Sequence, residues 1–260
     1  MNNTFSIQRF SLLLKRQWLE FGKIYLISLV VVLGVLLAFY FGSLWSVLRE
    51  ETPFRSRDLN FREPLFLMFG FLFISVIASN YFAHLGQKPK AIIDLMIPAS
   101  TFEKFLTGIF FTTILSTASF LLLFYLTDLA FVGKLRGIFN DNELNNMQYF
   151  FTKNTADLFV PIYWVPFFVT SIFLLGSVYF EKFHYIKTAI CVMIFSGIWA
   201  AIIAKSNKLL FEGRIPIDYD NAKHVFNERS TAEILASLIL IVLTLIFWTI
   251  TYVRLKEKEV

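Results

Sequence analysis

The chain has 260 residues, of which 57% are hydrophobic and 17% are charged, whereas soluble domains are typically about half apolar and about one quarter charged. Its 32 phenylalanines and a mean hydropathy of +0.63 favour a lipid-facing surface over a close-packed soluble core. The formal net charge of +5 is not accompanied by a basic patch interleaved with aromatic residues, so we predict no nucleic-acid partner and interpret the excess as membrane topology. The composition therefore excludes an ordinary soluble enzyme.

The first 23 residues are predicted to form an amphipathic helix lying along the membrane surface. Apolar residues recur there at spacings of three and four, and a largely basic face carries Arg9, Lys15 and Arg16, as in interfacial helices. The alternative is a simple extension of the first membrane-spanning helix. Residues 24–260 are predicted to form the transmembrane domain.

Six later stretches are long enough to cross a bilayer, for which about 20 apolar residues are needed. None contains Asp, Glu, Lys, Arg or His. Because backbone groups in lipid must bond internally, we predict six helices over the runs 24–48, 65–83, 105–127, 158–180, 188–204 and 234–253. The expected fold is an all-α integral membrane protein. Without ionisable residues in these runs, an ion-coupled carrier is disfavoured.

Six spans place both termini on one side of the membrane. If that side is cytoplasmic, the inner segments sum to +6 and the outer segments to −1. Lys and Arg alone are evenly divided, but the outer loops are longer, and long loops translocate with less regard to charge. We therefore predict a multi-pass protein of the plasma (cytoplasmic) membrane with cytoplasmic termini.

Small residues recur at every fourth position in several runs, which lets helix backbones approach closely. We predict helix packing, within the chain or against a partner, at Gly34, Ala38 and Gly42 in the first run and at Ser75 and Ser79 in the second.

Sequence motifs for chemistry are absent. The chain contains no GxxxxGK[ST] loop, no GxGxxG, no HExxH and no nucleophile elbow. Asp218, Asp220 and His224 lie close in sequence but match no established metal-ligand spacing, so we interpret them as solvated loop residues. We predict no catalytic residue, no metal site and no cofactor.

The connection between the second and third runs, residues 84–104, carries a feature that a plain loop does not need. Ala91, Ile92, Ile93, Asp94, Leu95, Met96 and Ile97 form a short, mostly apolar segment that Pro98 ends. Ser100 and Glu103 then have the spacing of a capping box that opens the third helix. Such an amphipathic segment on the cytoplasmic face could dock into a groove on a soluble partner.

A surface helix, six spans, a short helix between spans two and three, and the following Pro-Ala-Ser-x-x-Glu-Lys stretch at 98–104 resemble an ABC-2-type transporter permease subunit. The resemblance extends over the whole chain in the order of its helices, but in amino-acid sequence it covers only residues 94–105. It implies a homodimer or heterodimer of permeases in the lipid bilayer, energised by a separate P-loop ATPase that docks on the 84–104 connection, with Glu103 part of the coupling segment. Family members often have short re-entrant helices between spans five and six, whereas 205–231 is strongly charged and is predicted to be a water-exposed loop.

Two other classes of function stay open from the sequence. One is a non-transporting membrane scaffold, accessory or immunity-type protein, which would need no ATPase. The other is a membrane-embedded enzyme, for which the spans offer no polar constellation. A P-loop ATPase that binds the chain would distinguish the permease from both.

Overall fold

The computed structural model describes residues 5–49, 56–86, 94, 96–138, 148–151, 160–211 and 229–258. Six long helices account for most of these residues. They are α1 (Ile7–Leu48), α2 (Arg62–Tyr81), α3 (Thr101–Ile138), α4 (Val165–Tyr179, after a 3₁₀ turn at Val160–Trp164), α5 (His184–Phe211) and α6 (Arg229–Lys258).

Each predicted apolar run overlaps one of these helices, and residues 158 and 159 of the fourth run lie outside the described residues. Six helical segments are long and apolar enough to cross a membrane, the fourth of them counted from Ile162 in the 3₁₀ turn. The predicted six-helix, all-α fold is confirmed, and the chain is a multi-pass helical membrane protein. Several helices extend beyond the apolar runs. Helix α3 continues to Ile138, and α5 continues through Lys205 to Phe211, so the beginning of the predicted 205–231 loop is helical.

The amino-terminal segment is not a separate helix in this structure. Helix α1 runs without a break through residue 23 for 42 residues, or about 63 Å at 1.5 Å per residue. That is about twice the thickness of the bilayer's hydrocarbon core. The continuous helix corresponds to the alternative in which the first residues extend the first span, and a distinct interfacial helix over residues 1–23 is not shown.

Helix α3 contains a π-helical turn at Phe110–Leu115. Hydroxyl groups surround this wider turn: Thr112 Oγ1 donates to the carbonyl of Gly108 at 2.8 Å, and Thr113 Oγ1 lies 3.1 Å from Thr170 Oγ1 of α4. Hydroxyl side chains satisfy backbone groups that a distorted helix frees. The turn lies against α2 and α4, so the distortion occurs where α3 is enclosed by protein.

The core lies between α1, α2, α3 and α4, and its largest fully buried side chains include Tyr25, Tyr40 and Phe124. Helix α2 makes its most extensive interhelical contact with α4, and α6 packs mainly on α4. Helix α5 is peripheral. Its main contacts are with α4 and α2, and it exposes apolar side chains such as Phe195 and Trp199, as expected for a helix that faces lipid.

The two predicted packing faces lie in different environments. Ser75 and Ser79 are buried on α2, as a close helix contact requires. Gly34, Ala38 and Gly42 are exposed on α1, and a methyl group added at Gly34 or Gly42 would meet nothing within 4 Å. The α1 face is therefore not covered by the described part of this chain.

One close helix contact lies at Gly176, a glycine that the every-fourth-residue pattern did not identify. A Cβ atom built on Gly176 of α4 would lie 1.9 Å from Thr188 Oγ1 of α5. The turn that joins these two helices contains Phe183 at φ 55°, a left-handed conformation uncommon for a residue with a side chain. The absence of a side chain at Gly176 therefore allows α4 and α5 to approach closely near this turn.

Candidate functional site

The start of α1, the start of α3 and the end of α6 meet at one end of the bundle, here called the terminal end. Glu103, near the start of α3, contacts Ser6 at the start of α1. The rings of Phe102 and Phe105 lie 6.2 and 5.6 Å from the ring of Tyr252, near the end of α6. The connection between α2 and α3 opens at this same end, so three elements converge on the predicted coupling segment. The opposite end is called the distal end.

The predicted capping box is confirmed. The backbone N–H of Glu103 donates to Ser100 Oγ at 3.2 Å, and the N–H of Ser100 donates to Glu103 Oε2 at 2.9 Å. These two bonds satisfy donors that the first turn of a helix otherwise leaves unpaired.

Glu103 does more than close this box. Its Oε1 accepts a hydrogen bond from the backbone N–H of Ser6 at 2.9 Å and lies 3.2 Å from an Arg9 guanidinium nitrogen. The Glu103 side chain is fully buried. Because Ser6 is the N-cap residue of α1, one carboxylate bonds the N-cap N–H groups of two helices and joins them. The sequence pattern identified only the local half of this arrangement.

A second charged group fastens the connection to α3. Lys104 Nζ donates to the backbone carbonyl of Asp94 at 2.9 Å and lies 3.4 Å from its carboxylate, while His84 Nε2 lies 3.8 Å from the same carboxylate. Burial would raise the pKa of Asp94, but the neighbouring His84 ring and Lys104 ammonium outweigh burial, and the pKa lies below its ordinary value. Asp94 is therefore an anion that holds the end of α2 and the start of α3 together.

The predicted docking segment is described at Asp94, Met96 and Ile97, and Ala91, Ile92, Ile93 and Leu95 lie outside the described residues. Met96 is 79% exposed. The backbone turns after it, with the N–H of Ile97 donating to the carbonyl of Asp94 at 3.2 Å and that of Ala99 to Ile97 at 2.8 Å. The segment is thus anchored through Asp94 and presents an apolar side chain to the surroundings.

A small cavity lies beside this anchor. Leu13, Gln17, Asp94, Lys104 and neighbouring residues line a cavity of about 10 Å³, which is room for about one water molecule. Among the described residues, no three His, Cys, Asp or Glu side chains lie close enough to hold a metal ion. Asp218, Asp220 and His224 lie outside the described residues.

The distal end contains an ion pair that the apolar runs did not reveal. Arg62, near the start of α2, and Asp128 of α3 are 5% and 1% exposed, and an Arg62 guanidinium nitrogen lies 2.9 Å from Asp128 Oδ1. Tyr40 of α1 donates its hydroxyl to the same oxygen at 2.9 Å. The predicted runs are free of charge only because Arg62 and Asp128 fall just outside them. The only indication of this ion pair in the sequence was the presence of charged residues next to the ends of two apolar runs.

Comparison of the chain with protein-family models, with curated proteins and with solved structures gives no match in any of the three.

Proposed function

We propose that this chain is the membrane-spanning permease subunit of an ATP-driven exporter of the ABC-2 type, energised by a separate P-loop ATPase. The ATPase docks on the connection 84–104, on the cytoplasmic side where both termini lie. The chain works as a dimer of permeases.

The observation that supports this proposal most directly is the anchoring of the connection. Lys104 ties Asp94 to α3, and Glu103 ties the start of α3 to the start of α1. A push on the segment around Met96 therefore reaches two long helices together, because the part-buried bonds that transmit it are charge-assisted and about twice as strong as neutral ones. A mechanical lever needs this stiffness, whereas a loop that only joins two spans does not.

Two further features support the proposal. The net charge is +6 on the side of the terminal end and −1 on the other side, in accord with a cytoplasmic terminal end, whereas Lys and Arg alone are evenly divided. The exposed face of Gly34, Ala38 and Gly42 on α1 is a surface of the kind that lets a second permease approach closely.

The test is co-purification with candidate P-loop ATPases. In the Met96→Glu variant a charge replaces an exposed apolar side chain, and a charge forced into an apolar contact costs several kcal/mol. We expect the variant to remain monodisperse in detergent and to lose the ATPase in a pull-down. The matched control is Phe183→Glu, which places the same charge at a residue 71% exposed in the α4–α5 turn at the same end.

Equal ATPase recovery with wild type and Met96→Glu would remove the docking role from this segment. If the wild-type chain retains no ATPase under conditions that preserve a known exporter complex, the permease proposal gives way to a non-transporting scaffold, accessory or immunity-type protein.

A further inference from the structure

The distal end of the bundle is covered by a short piece of chain, Gln148–Phe151. The Phe150 ring lies 5.1 Å from the ring of Phe66 on α2 and 5.0 Å from that of Phe124 on α3. Phe151 lies 5.9 and 6.2 Å from the same two rings. Phe124 is fully buried, so this segment contributes to the core of the bundle and does not merely pass over it.

The buried ion pair holds both sides of this segment. An Arg62 guanidinium nitrogen donates to the carbonyl of Gln148 at 3.1 Å, and the N–H of Phe150 donates to Asp128 Oδ2 at 2.7 Å. Each ion thus contacts both its partner ion and the segment, and the Arg62 guanidinium also lies over the Phe150 ring, 6.0 Å from its centroid. Arg62 Nε also donates to the carbonyl of Leu59 at 3.1 Å, which sets the direction of the guanidinium group.

Burying this ion pair costs free energy that its mutual attraction alone does not offset, so its bonds to the segment must contribute. Burying two opposite charges seldom stabilises a fold more than apolar residues of the same volume would. Here the charges satisfy a backbone carbonyl and a backbone N–H at the end of an apolar bundle, where unpaired backbone groups are expensive.

We propose that Arg62 and Asp128 form a latch that fastens Gln148–Phe151 as an aromatic plug over the distal end of α1, α2 and α3. Breaking the ion pair releases both contacts to the plug together, because the same two side chains make them. The bundle therefore has a closure at the distal end that opens as a unit. This closure does not depend on ATP-driven transport, and its test uses the chain alone.

The test is amide hydrogen exchange of the purified full-length chain in lipid nanodiscs. The Asp128→Asn variant keeps the size of the side chain but loses the charge that Phe150 N–H and Arg62 contact. We expect the peptide containing Phe150 to exchange at least about tenfold faster than in wild type, since a hydrogen bond to a charged group is lost. Peptides from α4 around Leu174, a fully buried residue, should keep wild-type exchange.

The matched control is Tyr40→Phe. It removes the hydroxyl that donates to Asp128 Oδ1 and leaves both contacts to the plug in place, so exchange at Phe150 should stay at the wild-type rate. Arg62→Lys is a second variant that keeps the charge. One ammonium cannot serve Leu59, Asp128 and Gln148 in the same geometry, and we expect a smaller rise confined to the plug.

Three results would overturn the latch. The first is wild-type exchange at Phe150 in both Asp128→Asn and Arg62→Lys. The second is an equal rise in Tyr40→Phe, which would show that the cluster acts as general packing. The third is a uniform rise that includes α4, which would make the ion pair an element of overall stability and not a closure of the distal end.

Discussion

The two ends of the bundle both use charged side chains to fasten a connection between helices, but they do so in different surroundings. At the terminal end, Glu103 and Lys104 hold backbone groups of the 94–104 region, and Met96 next to them is open to the surroundings. At the distal end, Arg62 and Asp128 hold Gln148–Phe151 inside an aromatic cluster. The terminal connection is anchored and leaves Met96 exposed, whereas the distal connection is anchored and packs its aromatic rings against the bundle.

This difference predicts how substitutions at the two ends affect the protein. The terminal connection is stiff at its base and free at its tip, which suits contact with another protein. The distal connection has no free tip among the residues described, because its aromatic rings are packed on Phe66 and Phe124. Breaking the distal charges should therefore affect stability more than breaking the terminal ones.

The largest effect is expected at the distal ion pair. Arg62→Met leaves Asp128 as an uncompensated buried charge, and we expect the free energy of unfolding to fall by about 3–5 kcal/mol, measured by reversible denaturation in mixed micelles. The control is the double variant Arg62→Met/Asp128→Leu, in which no charge is left unpaired. It should recover the part of the loss that comes from the unpaired charge, and what remains is the cost of leaving the carbonyl of Gln148 and the N–H of Phe150 without these partners. A double variant as unstable as the single one would mean that the ions stabilise the bundle beyond their mutual compensation.

The next effect is expected at Glu103. A capping box alone is worth about 1 kcal/mol, but this carboxylate also accepts from Ser6 N–H and pairs with Arg9. We expect Glu103→Gln to cost about 2–3 kcal/mol, since hydrogen bonds to a charged group are worth about 1.5–3 kcal/mol. Ser100→Ala removes only the local cap and should cost about 1 kcal/mol. Equal losses in the two variants would show that the link to α1 adds nothing.

The smallest effect is expected for the two glycines that compare a covered with an uncovered helix face. Gly176→Ala drives a methyl group against Thr188 and should cost about 1–3 kcal/mol, as overpacking does. Gly34→Ala meets nothing within 4 Å and should leave the monomer's unfolding midpoint unchanged or slightly higher, because alanine favours helix more than glycine. A loss at Gly34 as large as that at Gly176 would show that another chain covers α1 there.

Leu36 sharpens the same comparison. Its spacing from the small residues gives no reason to expect a buried side chain, and from the sequence Leu36→Phe should matter less than a change at Gly34. The structure places Leu36 in the core with no exposed area. For the monomer we therefore expect the opposite order, with Leu36→Phe more disruptive than a change at Gly34, because a larger ring would have to enter the packed core at Leu36.

Much of the fold was predictable from local sequence alone. Long apolar runs must be helical in lipid because no water is present to satisfy their backbone, and each of the six runs contains a helix long enough to cross a membrane within the described residues. The capping box at Ser100 and Glu103 was predictable for a similar reason, since both partners lie within one turn of helix.

The tertiary structure decided what local pattern could not. In a run that is apolar all round, hydrophobic periodicity no longer indicates which face is buried, so the sequence could not tell Leu36 from Gly34 as a core position. Contacts between distant residues were equally hidden: Arg62 and Asp128 are 66 positions apart and Ser6 and Glu103 are 97 apart. Their partners were set by helix packing, because a buried charge has to find its counter-charge wherever the fold brings one.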